Sequence, residues 1–156
     1  MKALFKETLG VRLWAFRNVF LLWFIQPSIV AIDEQRCVVR IPLTWRTRNH
    51  LRSMYFGALC MGADIAGGLI AFHLMRKLKV SVSFVFKDVR GEFLKRPEGD
   101  VHFTCEDGAV IQELMRRTIE SGERQEAKVR VVATVPKKLG DEPVANFELT
   151  LSLKKR

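Results

Sequence analysis

The sequence predicts an α+β protein: a mostly antiparallel sheet curled around one long helix. Three observations carry this expectation. A single stretch, residues 54–78, is long, apolar and rich in Gly and Ala. It is followed by several segments that alternate apolar and polar residues, the period of a half-buried strand. The order is helix, strand, long helix, then strands with one small helix among them, rather than a regular βαβ alternation.

The chain has 156 residues, the length of one domain with its own core. It is therefore read as a single domain over 1–156, with residues 1–32 as an N-terminal helical segment packing on it. There are 26 Lys and Arg against 17 Asp and Glu, a net charge of +9. Most of that surplus, +7, lies in residues 1–78. Arg40, Arg46, Arg48 and Arg52 crowd one stretch without an acid among them, a pattern that attracts phosphates without saying whose. No zinc-finger, helix-turn-helix or RNA-recognition signature accompanies the charge, so nucleic acid is not an expected partner. Three cysteines without C-x-x-C and three scattered histidines argue against a disulfide framework or a metal site. They fit reduced thiols and a cytoplasmic location.

Residues 1–32 contain Phe5, Leu9, Leu13, Phe16, Phe20 and Phe24 at helical spacing, with Lys6, Arg12 and Arg17 elsewhere on the wheel. This is an amphipathic helix whose aromatic face must pack on its own domain, a partner or a lipid surface. Packing on the domain is the commonest outcome. Gln26-Pro27-Ser28 breaks it, and residues 36–45 read as a strand. Ser53 is placed to cap the helix over 54–78. That helix is long enough to span a bilayer, but Asp64 at its centre and four glycines point instead to an enclosed core helix. Residues 79–86, 93–96 and 101–105 read as strands. Residues 109–121 form a short helix closed by Gly122. Residues 124–136 and 142–154 are two long strands joined as a hairpin through 137–141.

The stretch R-N-H-L-R-S-M-Y-F-G-A-L-C-M-G-A-D, residues 48–64, resembles the motif of PaaI-like acyl-CoA thioesterases of the hot-dog superfamily. The flanking I-P-L-T-W-R-T-R-N is similar to an uncharacterised branch of that superfamily. Asn49 falls on the family's loop Asn, Gly57 on the last Gly of its H-G-G, and Asp64 on its helix acid. The family's His-Gly pair is replaced by Tyr55-Phe56. The resemblance implies the hot-dog fold, an acyl-CoA or other acyl thioester as substrate, and a homodimer or dimer of dimers in which the site is shared. It implies no cofactor beyond the coenzyme A of the substrate.

Thioester hydrolysis needs an oxyanion donor and a base or nucleophile. A helix N-terminus offers free N–H groups and a positive dipole end. Gly57 is the oxyanion-hole candidate, since no side chain of its own blocks a carbonyl. Such donors contribute about 3–4 kcal/mol. Asp64, seven residues on, falls on the same helix face and is the candidate general base or nucleophile. Asn49 is expected to orient water or hold the loop. Tyr55 supplies a hydroxyl where the family has imidazole, or simply packs. Arg46, Arg48 and Arg52 are candidates for the phosphates of coenzyme A. A second reading is a non-catalytic hot-dog protein that binds acyl-CoA or a lipid. A peripheral membrane role through the N-terminal helix ranks below both.

Overall fold

A computed structural model describes residues 3–156. Two N-terminal helices, α1 (Phe5–Asn18) and α2 (Phe20–Phe24), lead into the hairpin β1 (Ser28–Ile32) and β2 (Cys37–Ile41). The long helix α3 (Phe56–Leu78) follows, then β3 (Val82–Phe93), β4 (Val101–Cys105) and α4 (Gly108–Ser121). The chain ends with β5 (Gln125–Thr134), the single turn α5 (Pro136–Leu139) and β6 (Pro143–Lys155). All strand pairs are antiparallel, in one six-stranded sheet of order β1-β2-β4-β5-β6-β3. The sheet curls around α3, which makes this the hot-dog fold expected from the sequence.

Helix α3 is enclosed because its sequence lets the sheet come close. Ala58, Ala63, Ala66, Ile70 and Ala71 are buried, packed against Val39, Val129, Val131 and Leu151 of the strands. Gly62 lies directly under Phe103 of β4: a Cβ there would sit 2.3 Å from the ring. It is the one described helix long and apolar enough to cross a membrane, and most of it is buried inside this protein. Lys79, at φ 54°, ends it in the left-handed conformation, with its N–H bonded to Met75 O. Gly122 ends α4 in the same way, at φ 71°.

Four expectations are corrected. Residues 1–32 are not helical throughout: Val19 interrupts the helix before the break expected at Gln26, which turns at φ 53°, and Ser28–Ile32 beyond that break pairs with β2 as a strand. Residues 1–2 lie outside the described residues. The aromatic face of the N-terminal segment packs on the domain only in part: Trp14 meets Phe72 of α3 with ring centres 6.1 Å apart, Phe24 meets Trp45 at 5.8 Å, and Val11 and Leu22 lie against the core. Phe5 is 78% exposed and Phe16 and Phe20 are each 54% exposed. Polar groups also tie α1 down: Arg12 donates to Pro27 O, Gln26 O and Ser28 Oγ, and Thr8 Oγ1 accepts from the Ile29 N–H. Ser53 does not cap α3; Tyr55 holds the N-cap position without a side-chain bond. Finally, the separate strands expected at 79–86 and 93–96 are one strand, β3, carried through a bulge between Phe86 and Val89.

Candidate functional site

The start of α3 is built by the loop that precedes it. Asn49 organises that loop: its Oδ1 accepts from the N–H groups of Leu51 and Ser53 and from Ser53 Oγ, at 2.9, 3.2 and 3.3 Å. Asn49 N–H in turn donates to Ser53 O at 2.8 Å. Arg52 adopts φ 62° to close this tight turn. The loop is sewn to the sheet region by Met54 N–H on Pro97 O and Tyr55 N–H on Thr47 O. Thus Asn49 Oδ1 is spent on shaping the loop, and the loop sets where α3 begins.

The first intrahelical bond of α3 runs from Leu59 N–H to Tyr55 O, at 3.1 Å. The amides of Phe56, Gly57 and Ala58 precede it, and no side chain caps them. They form a donor cluster at the positive end of a helix about 35 Å long. The space beside Gly57 is not empty, however. A Cβ there would meet Tyr55 Cε1 at 2.5 Å. The Tyr55 ring is half-exposed and also stacks at a tilt on Phe56, with centroids 4.8 Å apart. Phe56 continues this aromatic mouth to Phe93 of β3, at 6.3 Å.

Asp64 sits two turns further along α3, half-buried. Burial pushes its carboxyl above the usual carboxylate range; among the described residues no hydrogen bond or ion pair offsets the desolvation. It opens on a groove of about 420 Å³ between α3 and β3, lined by Cys60, Met61, Phe86, Asp88, Val89 and Leu149 among others. The bulge in β3 puts Lys87 and Asp88 at this groove. Asp88 accepts a hydrogen bond from Thr150 Oγ1 at 2.8 Å. Cys60, one turn before Asp64, has its thiol pushed up by burial as well. Asp88 and Cys60 were not singled out from the sequence. The only signal for Asp88 was the point where Lys87-Asp88 interrupts the alternation of β3.

Gly57 and Asp64 share a helix face, but seven residues of rise separate them by about 10 Å along the axis. Direct attack needs reacting atoms within about 3–3.5 Å. A carbonyl bound at one helix start is therefore beyond direct attack by the Asp64 of the same chain.

The three arginines diverge. Arg46 is half-buried against the N-terminal segment, its guanidinium 5.4 Å from the Phe24 ring centre and 5.2 Å from that of Trp45. Its Nε is buried without a hydrogen-bond acceptor among the described residues. Arg48 and Arg52 are exposed on the loop that leads into α3. Arg48 is tied to Met54 by an isolated β-bridge. Among the described residues no three of His, Cys, Asp and Glu gather as a metal site would require.

The fold recurs in solved structures. A protein of unknown function from Chlorobaculum tepidum superposes with a TM-score of 0.83 at 11% identity, over 99% of this chain and 98% of that one. A Pseudomonas aeruginosa protein of unknown function, described as a "probable thioesterase", gives 0.78 at 20% identity, covering 96% of each chain. A thioesterase from Haemophilus influenzae gives 0.68 at 14% identity, over 95% of this chain and 90% of that one. At these identities the likeness is one of fold. None of the curated proteins matches the chain by sequence. A family model does, over residues 13–153, and the chain belongs to that family, the domain of unknown function DUF4442.

Proposed function

We propose that this protein hydrolyses acyl thioesters, acyl-CoA being the expected substrate. The observation that carries the reading is the half-buried carboxylate of Asp64, unpaired and open to a groove. An ionised carboxylate is costly to hold there without a partner, and that cost is characteristic of catalytic groups. Its raised proton affinity makes Asp64 a stronger general base than an exposed carboxylate; direct attack as a nucleophile is the other role open to it. The uncapped amides of Phe56, Gly57 and Ala58 would hold the thioester oxygen as negative charge develops. Arg48 and Arg52, exposed beside that helix start, suit the phosphates of coenzyme A. Arg46 would contribute by backing the loop. Coenzyme A enters as part of the substrate, and no separate cofactor is needed.

The separation of Gly57 from Asp64 favours a site shared between two copies. The β3 strand is a 12-residue sheet edge paired on one side only. Val85, Val89 and Phe93 are exposed along it. Such an edge is a template for pairing with a second chain, and the Asp64 groove runs beside it. A homodimer through β3, alone or doubled into a tetramer, would wall the groove. The reduced thiols suit a cytoplasmic location.

One observation favours a second reading, a non-catalytic protein that binds acyl-CoA or a lipid. The Tyr55 ring occupies the space beside Gly57 where a carbonyl would approach. Release of free thiol from short, long and aryl acyl-CoAs, by wild type and Asp64→Asn, separates the two. Turnover lost in a folded Asp64→Asn protein supports hydrolysis. Ligand-dependent thermal stabilisation with no turnover by either protein supports binding alone.

A further inference from the structure

The N-terminal helices pack one apolar side on the domain and leave a second apolar stripe turned outward. Helix α1 faces the domain with Thr8, Val11, Arg12, Trp14 and Ala15, through the polar bonds described above, the packing of Val11 on the core and of Trp14 on Phe72, and the complete burial of Ala15. At 100° per residue, Leu9, Leu13 and Phe16 fall within 80° of Phe5, on the side facing away from the domain. Phe20 and Leu21 of α2 continue that stripe, and Leu21 is 63% exposed. Phe16, Phe20 and Trp23 hold one another, with ring centres 5.0–6.0 Å apart. The outward side is thus an ordered, continuous aromatic surface rather than scattered apolar residues.

Charge says what covers it. Lys6 and Arg17 fall at 100° and 120° on the same wheel, directly beside the stripe. Both are exposed, and neither forms an ion pair with a described carboxylate. A second copy seated on this face about a two-fold axis would bring Lys6 and Arg17 of both chains together, like against like. An anionic bilayer would instead receive the aromatic rings among its acyl chains and the two cations among its headgroups, the arrangement of an interfacial amphipathic helix. The surplus of positive charge in the first half of the chain favours the same partner. We infer that α1 and α2 dock this protein on an anionic lipid surface, with the aromatic stripe inserted and Lys6 and Arg17 at the headgroups. This does not depend on the thioesterase reading.

Co-sedimentation of the full chain with vesicles of phosphatidylcholine, with and without phosphatidylserine, tests it. Wild type binds the phosphatidylserine vesicles, and added salt weakens the binding. Phe16→Ser with Phe20→Ser reduces binding more than about tenfold. Lys6→Glu and Arg17→Glu each reduce it by about fivefold or more. All four positions are exposed, and circular dichroism with thermal melting checks that each variant is folded. Wild type left in the supernatant with both vesicle types overturns the inference, as does binding unchanged in the double Phe variant. Equal binding to both vesicle types overturns the anionic assignment. If wild type ignores vesicles while the double Phe variant falls to a smaller species in sedimentation, the face belongs to a second copy.

Discussion

The ring of Tyr55 stands against Gly57, so close that a methyl group added there would lie 2.5 Å from Tyr55 Cε1. On the proposed thioesterase reading, these two residues govern access of a carbonyl to the start of α3. Because the ring is half-exposed, it can swing aside, and the pair behaves as a coupled unit. Ala favours a helix over Gly by up to about 1 kcal/mol. Gly57→Ala in a Tyr55→Ala background is expected to raise stability by that order in denaturant unfolding. In the wild-type background the displaced ring cancels the gain. A double-mutant cycle on stability and on thioester turnover reads this coupling directly, and strict additivity would contradict the contact.

Gly62 carries the opposite prediction. Phe103, which covers it, is fully buried, and a Cβ would meet three of its ring carbons at 2.3–2.6 Å. Nothing there can swing into solvent. Gly62→Ala is expected to cost about 1–3 kcal/mol by overpacking. Adding Phe103→Leu, which removes ring atoms from the clash, should recover part of the loss. Thermal melting of the two proteins side by side checks this.

Asp64 links stability to pH. Burial raises its carboxyl above the ordinary value, so the folded protein binds a proton more readily than the unfolded chain. Its contribution is then most favourable below the unfolded pKa and is lost as pH rises through the folded one. Asp64→Asn removes the burden of an ionised buried group. The variant should melt higher than wild type at neutral pH, and the difference should shrink as pH falls toward the ordinary carboxylate range. A melting difference independent of pH would contradict the burial argument.

Asn49 is the strut of the loop. Asn49→Ala removes the acceptor for two backbone N–H groups and one hydroxyl. The expected cost is about 1–3 kcal/mol. Hydrogen exchange should localise it to residues 49–55, where Leu51 and Ser53 amides lose protection. Unchanged protection there would show that water replaces the side chain without loss.

Much of this was legible from the chain. The helix over 56–78 could be read from its small apolar composition, and β4, β5, β6 and α4 from their periods. What escaped depends on tertiary contact. Ser28–Ile32 is too short for its period to separate a strand from the end of a helix, and its pairing with β2 decides the matter. The continuity of β3 rests on a bulge that sequence shows only as broken alternation at Lys87-Asp88. The helical spacing in the N-terminal segment was legible, but which of its apolar residues would meet the domain and which would stay exposed was not. Arg12 and Thr8, beside the Phe5 stripe on the helix wheel, find acceptors and a donor in residues 26–29, and no local pattern announces that. At the site, the spacing of Asn49, Gly57 and Asp64 placed them on one loop and one helix face. The Tyr55 ring over Gly57 and the turning of Arg46 toward Phe24 and Trp45 became visible only in three dimensions.

The most direct measurement is the pH dependence of thiol release from acyl-CoA by wild type and Asp64→Asn. The account predicts wild-type turnover that rises with pH through a value above the ordinary carboxylate range, as Asp64 ionises, and a folded Asp64→Asn protein that has lost that turnover. An Asp64→Asn protein that keeps wild-type rates across the pH range would contradict it, and would leave Asp64 as a buried acid without a part in the chemistry.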